Sequence, residues 1–489
     1  MDRAPCPTAD PWWPIVSKLL SLYHALPAPV RPVVASLRGF HLRSWRYGSE
    51  TDQLAQEALQ RDRWSPQEWR QWQQKALKDL LHRASTEVPH YRDYWRNWKT
   101  PGRVTSLPDW PILEKESLRA NPKAFLADGC KPKKMFHDHT SGTTGKSLDL
   151  WESRDTVRAW YALFEARCRL WYGVSRHDRW GMLGGQLIVP VAQRRPPFWV
   201  WNSGLDQLYL SAYHLAPDLI SHYLKALSTY RVTYLLGYTS ALYALAMEVL
   251  ESGRKGPQMK VVITNAEPLF DYQRQAIAEA FNCPVRETYG MAELVVAASE
   301  CEAGRMHLWP EAGITEIVDG DKPAPDGQAG DLVCTGLSNP DMPLVRYRVG
   351  DRAALAATDD RCPCGRTLPV LNSIEGRLDD VLYTIDGRVI GRLDPVFKAG
   401  VPIREAQIIQ DGLDRIRVLY VPAPGFTNVD RELIVARLQA RLGPMNVVME
   451  SLSEIPRTAN GKFRAVVCNL SSDEKKKARR GQVEELVGS

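Results

Sequence analysis

The sequence predicts an α/β protein: a large N-terminal body of mixed sheets and helices, followed by a small α+β C-terminal domain. Three observations predict it. The chain has 489 residues, and at about 150 residues per domain this is two or three folding units. From about residue 105 to 375, short apolar runs alternate with longer helical patterns, the signature of a mostly parallel sheet. The last hundred or so residues change character: Ile416 to Val421 alternates as a strand, and Asp430 to Leu442 places Leu433, Ile434, Leu438 and Leu442 on one helix face before Gly443 and Pro444 stop it.

The elements follow in order. Residues 1–104 read as a helical layer packed on the main body. Ser65-Pro66-Gln67-Glu68 is a capping box with proline at the first helical position, and Trp69, Trp72, Ala76, Leu77, Leu80 and Leu81 form the apolar face behind it. Residues 105–376 form the large domain. Trp180 to Leu183, Thr233 to Leu236 and Lys260 to Thr264 read as strands, with helices at Asp218 to Leu227 and Tyr272 to Phe281. Glycine and proline turns between Gly320 and Gly330 announce a more antiparallel portion. Residues 377–489 form the small domain, and its tail from Asp473 to Gly481 reads as a solvated, frayed end.

Composition excludes several function classes. The net charge of +6 is mild for this length, and no long basic stripe outside the tail argues for nucleic acid. A hydrophobic fraction of 44% with 25% charged residues is that of a globular chain. The apolar stretch from Trp12 to Leu42 is broken by Pro14, Pro27, Pro29 and Pro32 and carries Lys18, Arg31 and Arg38, so it is neither an export leader nor a span. The window Thr233 to Leu250 contains Gly237, Thr239, Ser240 and Glu248, and a buried helix following a strand is expected there. Nine scattered cysteines without an export signal read as reduced thiols, which places the protein in the cytoplasm. Nothing in the sequence sets the oligomeric state.

The most conspicuous local signal is Thr140-Ser141-Gly142-Thr143-Thr144-Gly145-Lys146-Ser147. Its glycines let the backbone turn N–H groups onto an anion, its hydroxyls donate further hydrogen bonds, and its lysine adds charge. A nucleoside-triphosphatase P-loop needs glycine where Thr140 stands, so that motif fails. Five further segments follow in order: Asn265-Ala266-Glu267-Pro268 after a strand, Glu287-Thr288-Tyr289-Gly290-Met291-Ala292-Glu293, Arg346-Tyr347-Arg348-Val349-Gly350-Asp351, Glu375-Gly376-Arg377-Leu378-Asp379-Asp380, and Pro456 to Arg464 around Lys462. Together with the loop they resemble the motif series of the adenylate-forming superfamily over residues 140–464. Within it, Pro111-Ile112-Leu113-Glu114-Lys115 and Cys362-Pro363-Cys364-Gly365 resemble the phenylacetate–CoA ligase branch. The Trp-rich start and Pro196-Pro197-Phe198-Trp199 resemble its relatives from capsular polysaccharide loci.

The resemblance implies an acid–thiol ligase, AMP-forming, that uses ATP and Mg²⁺ to turn a carboxylic acid into an acyl-adenylate. Joining two anions demands charge neutralisation and alignment. It implies that Ser141, Gly142, Thr143, Thr144, Gly145 and Lys146 cradle the triphosphate. Ala266 and Glu267 would lie at the adenine, Tyr289 stacks on it beside Gly290, and Asp351 accepts from the ribose hydroxyls. Glu293 would ligate magnesium, Arg377 contacts ribose or phosphate, Lys462 reaches the α-phosphate, and Asp379 is the hinge of a mobile small domain. Many superfamily members carry a hydroxyl residue before the glutamate; here it is Ala292. Gly184, Gly185 and Tyr238, with the Trp199/Trp201 region, would line an apolar acyl pocket.

Cys301, His307, Cys362 and Cys364 form a Cys-x5-His and Cys-x-Cys set. Three thiolates and an imidazole suit a closed, structural zinc shell, which the phenylacetate–CoA ligase-like resemblance also implies. His137 and His139 fall on one strand face and read as packing residues or as supports for residues that touch the ligand, because an ionised carboxylate needs no general base. Coenzyme A, a carrier protein, an amine or a sugar each remain open as acceptor of the acyl group. A non-catalytic nucleotide-binding scaffold is the third reading, disfavoured by joint retention of Glu293, Asp351, Arg377 and Lys462.

Overall fold

A computed structural model describes residues 20–96, 107–139, 148–375 (less 191, 217, 268, 270, 326 and 358–359), 382–455 (less 386–388, 391–392, 398–400, 424 and 454) and 466–479. The N-terminal part is helical, with helices at Arg31–Arg46, Thr51–Arg61, Pro66–Glu87 and Pro89–Arg96. The third starts as its sequence dictates: Ser65 Oγ accepts from the Glu68 N–H, and the Glu68 carboxylate accepts from the Ser65 N–H. Its inward residues Leu80 and Ala84 join the core built around Trp110, Leu148 and Tyr347.

Strands β1 (Phe136–His139) and β2 (Asp149–Glu152) form an antiparallel pair. The main sheet has thirteen strands and changes character along its width. One half is parallel: β3 (Trp180–Gly184), β5 (Gln207–Ser211), β6 (Tyr234–Tyr238), β7 (Val261–Asn265) and β8 (Val285–Gly290) run the same way, with β4 (Trp199–Asn202) antiparallel at the edge. Helices Ile220–Thr229, Thr239–Glu251 and Asp271–Phe281 connect these strands. The window from Thr233 to Leu250 is a strand and then a buried helix, as its polar interruptions predict.

From β8 onward every pairing in the large sheet is antiparallel: β9 (Ala297–Glu300), β10 (Met306–Leu308), β11 (Gly313–Asp319), β12 (Lys322–Pro323), β13 (Gly330–Gly336), β14 (Tyr347–Leu355) and β15 (Val370–Glu375). The small strands β16 (Leu382–Tyr383) and β17 (Val389–Ile390) precede a separate sheet of β18 (Ile403–Gly412), β19 (Arg415–Pro422), β20 (Asn446–Ser451) and β21 (Val466–Cys468), ordered β20-β19-β18-β21. The Asn428–Leu442 helix packs Ile434, Leu438 and Leu442 into this sheet's own core and ends at Gly443, whose φ of 86° suits glycine.

The tail departs from expectation. Residues Ser472–Arg479 form a helix rather than a frayed end: the Glu474 carboxylate accepts from the Ser471 N–H and hydroxyl, and Ala478 is fully buried against Tyr383 and Leu470. Among the described residues no helix is long and apolar enough to cross a membrane.

Candidate active site and a cysteine–histidine knot

In an open parallel sheet, ligands bind beyond the carboxyl ends of the strands, where loops and helix starts leave a crevice. Four adjacent strands bring sequence-predicted residues to that edge. Gly184 closes β3 with Gly185 just beyond, Tyr238 closes β6, Ala266 and Glu267 follow β7, and Tyr289 and Gly290 close β8. The Thr239 hydroxyl donates to the Glu267 carbonyl at 3.0 Å and ties two of these ends together. Ala266 has φ 64° and Leu294, beside Glu293, has φ 54°. Left-handed backbone at non-glycine residues costs energy and clusters where a site is shaped.

The antiparallel half supplies the opposite wall. The Tyr289 hydroxyl donates to Asp351 Oδ2 at 2.7 Å, so the residue predicted for adenine meets the one predicted for ribose. Burial, then Asp351 itself, pushes the Tyr289 phenol far above its usual range and keeps it a donor. Next to this pair, the Glu293 side chain is only 5% exposed and its Oε1 accepts from the Tyr347 hydroxyl at 2.9 Å and from Lys115 Nζ at 3.2 Å. Lys115 arrives because the segment before it lies along β14: the Leu113 N–H donates to the Arg346 carbonyl, and the Arg348 N–H donates to the Leu113 carbonyl.

Lys115 and Tyr347 are site residues that the sequence reading missed in these roles; both sit in quoted motifs, but only the fold shows that they share a carboxylate. The two arginines of the Arg346–Asp351 segment prove to be braces. Arg346 pairs with Glu316 and donates to the Pro108 carbonyl, while Arg348 pairs with Glu114 and Asp331. Glu287 lies one layer back. Burial, with Glu300 nearby, raises its carboxyl to about 7.

At the proposed acyl pocket, a Cβ on Gly184 would sit 2.6 Å from the Tyr209 hydroxyl, and one on Gly185 would sit 3.1 Å from the Tyr238 ring. The Tyr213 hydroxyl donates to the Gly185 carbonyl at 2.8 Å. Three tyrosines therefore crowd two glycines, which keep the space open. The Trp199 and Trp201 rings pack on Tyr223 of the Ile220–Thr229 helix and on Tyr230 just after it. His137 is exposed, hydrogen-bonded to Asp149 and stacked on Trp151. Ser141, Gly142, Thr143, Thr144, Gly145, Lys146, Arg377, Asp379 and Lys462 lie outside the described residues.

A second cluster stands apart. Cys301 after β9, His307 on β10, and Cys362 and Cys364 before β15 bring their four ligand atoms within 4.8 Å of one another. The sulfurs of Cys301 and Cys362 are 3.6 Å apart, and Cys364 Sγ is 3.4 Å from His307 Nε2. Zinc–sulfur bonds of about 2.3 Å in a tetrahedron separate sulfurs by about 3.8 Å, so this set fits such an ion. His307 Nδ1 donates to the Leu368 carbonyl at 3.1 Å, which leaves Nε2 free to face the thiols.

With this geometry in place, likeness to known proteins becomes informative. Residues 382–469 match the CapK C-terminal domain family. Over 387 residues the chain is 27% identical to protein CapK of Staphylococcus aureus, covering 75% of this chain and 81% of that protein. The chain is homologous to CapK and to the phenylacetate–coenzyme A ligases. One of these ligases, from Thermus thermophilus, is 24% identical over 441 residues, or 81% of this chain and 95% of the ligase. The fold is shared with 2-hydroxyisobutyryl-CoA ligase, whose structure with 2-HIB-AMP and CoA in the thioesterification state superposes with TM-score 0.54 at 20% identity, covering 88% of this chain and 94% of that one. This chain joins a large α/β body to a small C-terminal unit.

Proposed function

We propose that the protein activates a carboxylic acid with ATP and Mg²⁺, releasing pyrophosphate, and passes the acyl group from the acyl-adenylate to a thiol such as coenzyme A. The observation that carries this reading is convergence. Residues from three separated motifs, Ala266/Glu267, Tyr289/Glu293 and Asp351, belong to one carboxyl-edge site, with Tyr289 bonded to Asp351. Homology to phenylacetate–coenzyme A ligases supports it.

In the step proposed, a carboxylate oxygen of the acid attacks the α-phosphorus and the bond to pyrophosphate breaks. Asp351, already an acceptor for one hydroxyl, is suited to accept from a ribose. The carboxylate of Glu293 already draws a cation, the Lys115 ammonium, which makes it a fitting ligand for magnesium. Bound there, magnesium would screen the phosphate charge as the nucleophile approaches. The 141–147 loop, Arg377 and Lys462 complete the cationic side by resemblance, and Asp379 is the proposed hinge. Residues 1–104, 105–376 and 377–489 are the domain divisions we propose. Cys301, His307, Cys362 and Cys364 would hold a structural zinc, with no open position for chemistry.

Similarity to CapK and the match of residues 382–469 to its C-terminal domain favour a second reading, in which the acceptor is a carrier protein, amine or sugar in polysaccharide or secondary-metabolite assembly. Pyrophosphate exchange across a panel of carboxylic acids, with and without coenzyme A, tests both. Acid-dependent exchange with turnover that requires coenzyme A supports the ligase, and exchange without that requirement supports the second reading. No exchange with any acid sinks adenylation. Lys462→Ala should nearly abolish exchange with ATP binding largely intact, whereas Asp351→Ala should weaken nucleotide binding as well.

A further inference from the structure

Large apolar side chains are seldom left in water in contiguous groups unless they meet something. Of the nine that are exposed among the described residues, seven lie between Leu20 and Phe40. On the Arg31–Arg46 helix they form a stripe: Phe40, Val33, Leu37 and Val34 occupy neighbouring positions of the 3.6-residue turn, with exposures of 52%, 58%, 66% and 38%. Arg43 and Arg38, both exposed, border the stripe on its two sides. From Pro11 to Ser49 the sequence contains no Asp or Glu and five Lys or Arg, a local charge hidden by the chain's mild overall balance.

The opposite face of this helix is firmly seated. A Cβ on Gly39 would fall 1.8 Å from Asn202 Oδ1, and one on Gly204 would fall 2.3 Å from the Phe40 N atom, so helix and β4–β5 turn meet backbone to backbone. The Ser203 N–H donates to the Ser36 hydroxyl, and buried Arg31 donates to Gln193 and to the carbonyls of His24 and Leu26. The stripe is therefore presented outward by a docked helix, whose Gly39–Phe40 end meets the β4–β5 turn and whose Arg31 end meets Gln193.

From this placement we propose that the Arg31–Arg46 helix binds an anionic lipid surface, lying in its interface with Val33, Leu37 and Phe40 inserted and Arg38 and Arg43 at the headgroups. An apolar stripe bordered by cations is what such a surface selects. At about 24 Å the helix is shorter than the hydrocarbon core of about 30 Å, so it lies on the bilayer and does not span it. A second copy fits poorly: two-fold pairing of this face would set the arginines of both copies together with no acid in the segment to neutralise them. The chain's own residues Trp12 to Leu19, apolar with Lys18, contain no acid that would complement the charge of the face.

The full-length protein should float with vesicles of equal parts phosphatidylcholine and phosphatidylglycerol and remain unbound with phosphatidylcholine alone, with binding weakened by salt. Leu37→Glu/Phe40→Glu and Arg38→Glu/Arg43→Glu should each weaken flotation by at least about tenfold, at about fivefold per charge near such a surface. Val429→Glu, on an exposed apolar site of the Asn428–Leu442 helix, should not. Unchanged melting temperatures and adenylation rates show that the variants are folded. Equal binding to neutral vesicles, or none to the anionic ones, overturns the proposal. A lipid-free dimer dissolved by Leu37→Glu/Phe40→Glu assigns the stripe to a second copy and overturns it too. So does a Leu37→Cys thiol that resists labelling in the lipid-free monomer, because the chain itself then covers the face.

Discussion

Two glutamates with nearly equal burial sit in very different surroundings. Glu311, whose side chain is 7% exposed, is gripped on both oxygens: Arg167 Nη1 and Nη2 donate to it at 2.7 and 3.0 Å, and Arg61 adds a third contact. Asp62 completes the knot on the other side of Arg167, which is itself 0% exposed. Glu293, at 5%, has both its cationic and its hydroxyl contact on Oε1, and its cation is a flexible lysine that still reaches solvent. A bidentate arginine locks a carboxylate; a lysine leaves it exchangeable. The first arrangement holds helices Thr51–Arg61 and Arg154–Cys168 to the turn after β10, and the second leaves a carboxylate whose cation can be exchanged.

Breaking the knot should have the largest effect on stability. Arg167→Leu leaves Asp62 and Glu311 buried without their shared partner, and the loss should be about 3–5 kcal/mol in urea unfolding. A midpoint like the parent's would mean that the knot relaxes into water and the contrast is false. Glu293→Gln should do the reverse, lowering adenylation by about 100-fold or more while moving unfolding stability by less than about 1 kcal/mol.

The cysteine–histidine cluster sharpens the same contrast because it adjoins the knot. Arg366 lies over the Trp171 ring, whose N–H donates to Asp62. Protein purified without chelator should carry about one zinc per chain, and Cys362→Ser should lower the melting temperature by about 5 °C or more. Less than about a tenth of an equivalent would remove zinc from the account.

Two further buried carboxyls give stability a pH dependence. Burial, then Asp138, raises Glu152 to about 8, and burial, with Glu300 adding, raises Glu287 to about 7. Both native values exceed the unfolded one, so the native state holds the extra protons. The stabilisation is complete below about pH 4.5 and is lost as pH rises through about 7 and 8, at up to about 1.4 kcal/mol per unit for each group. Glu152→Gln/Glu287→Gln should flatten that decline, as denaturant midpoints between pH 5 and 8 would reveal; an unchanged slope means that these groups ionise freely.

Much of the frame was legible because its signals are local. The Ser65–Glu68 box, the strand runs Trp180 to Leu183, Thr233 to Leu236 and Lys260 to Thr264, which fall within one or two residues of the observed strands, and the Gly443 stop are each written within a few residues. The knot was invisible: Asp62, Arg167 and Glu311 carry no pattern and meet only through packing. Lys115 was read as a branch marker because its partner lies 178 positions away. The tail misled for the opposite reason. Its charge suggested solvation, and a buried anchor, Ala478, is too small to create an apolar period, although Ser471 and Glu474 form a cap that the sequence does contain.

The smallest effect tests the glutamate contrast at its finest point. Lys115 and magnesium cannot both hold Glu293 Oε1 at full strength, since two cations at one oxygen repel. If the ammonium is a counterion that the metal displaces, Lys115→Met removes a competitor, and the magnesium concentration for half-maximal exchange should fall. A partly exposed pair of this kind is worth about 1 kcal/mol or less, which limits the fall to about fivefold. Tyr347 remains to orient the carboxylate, so the maximal rate should change little. A rise in the magnesium requirement together with a slower rate would place the Lys115 ammonium on the phosphates instead, as part of the cationic wall.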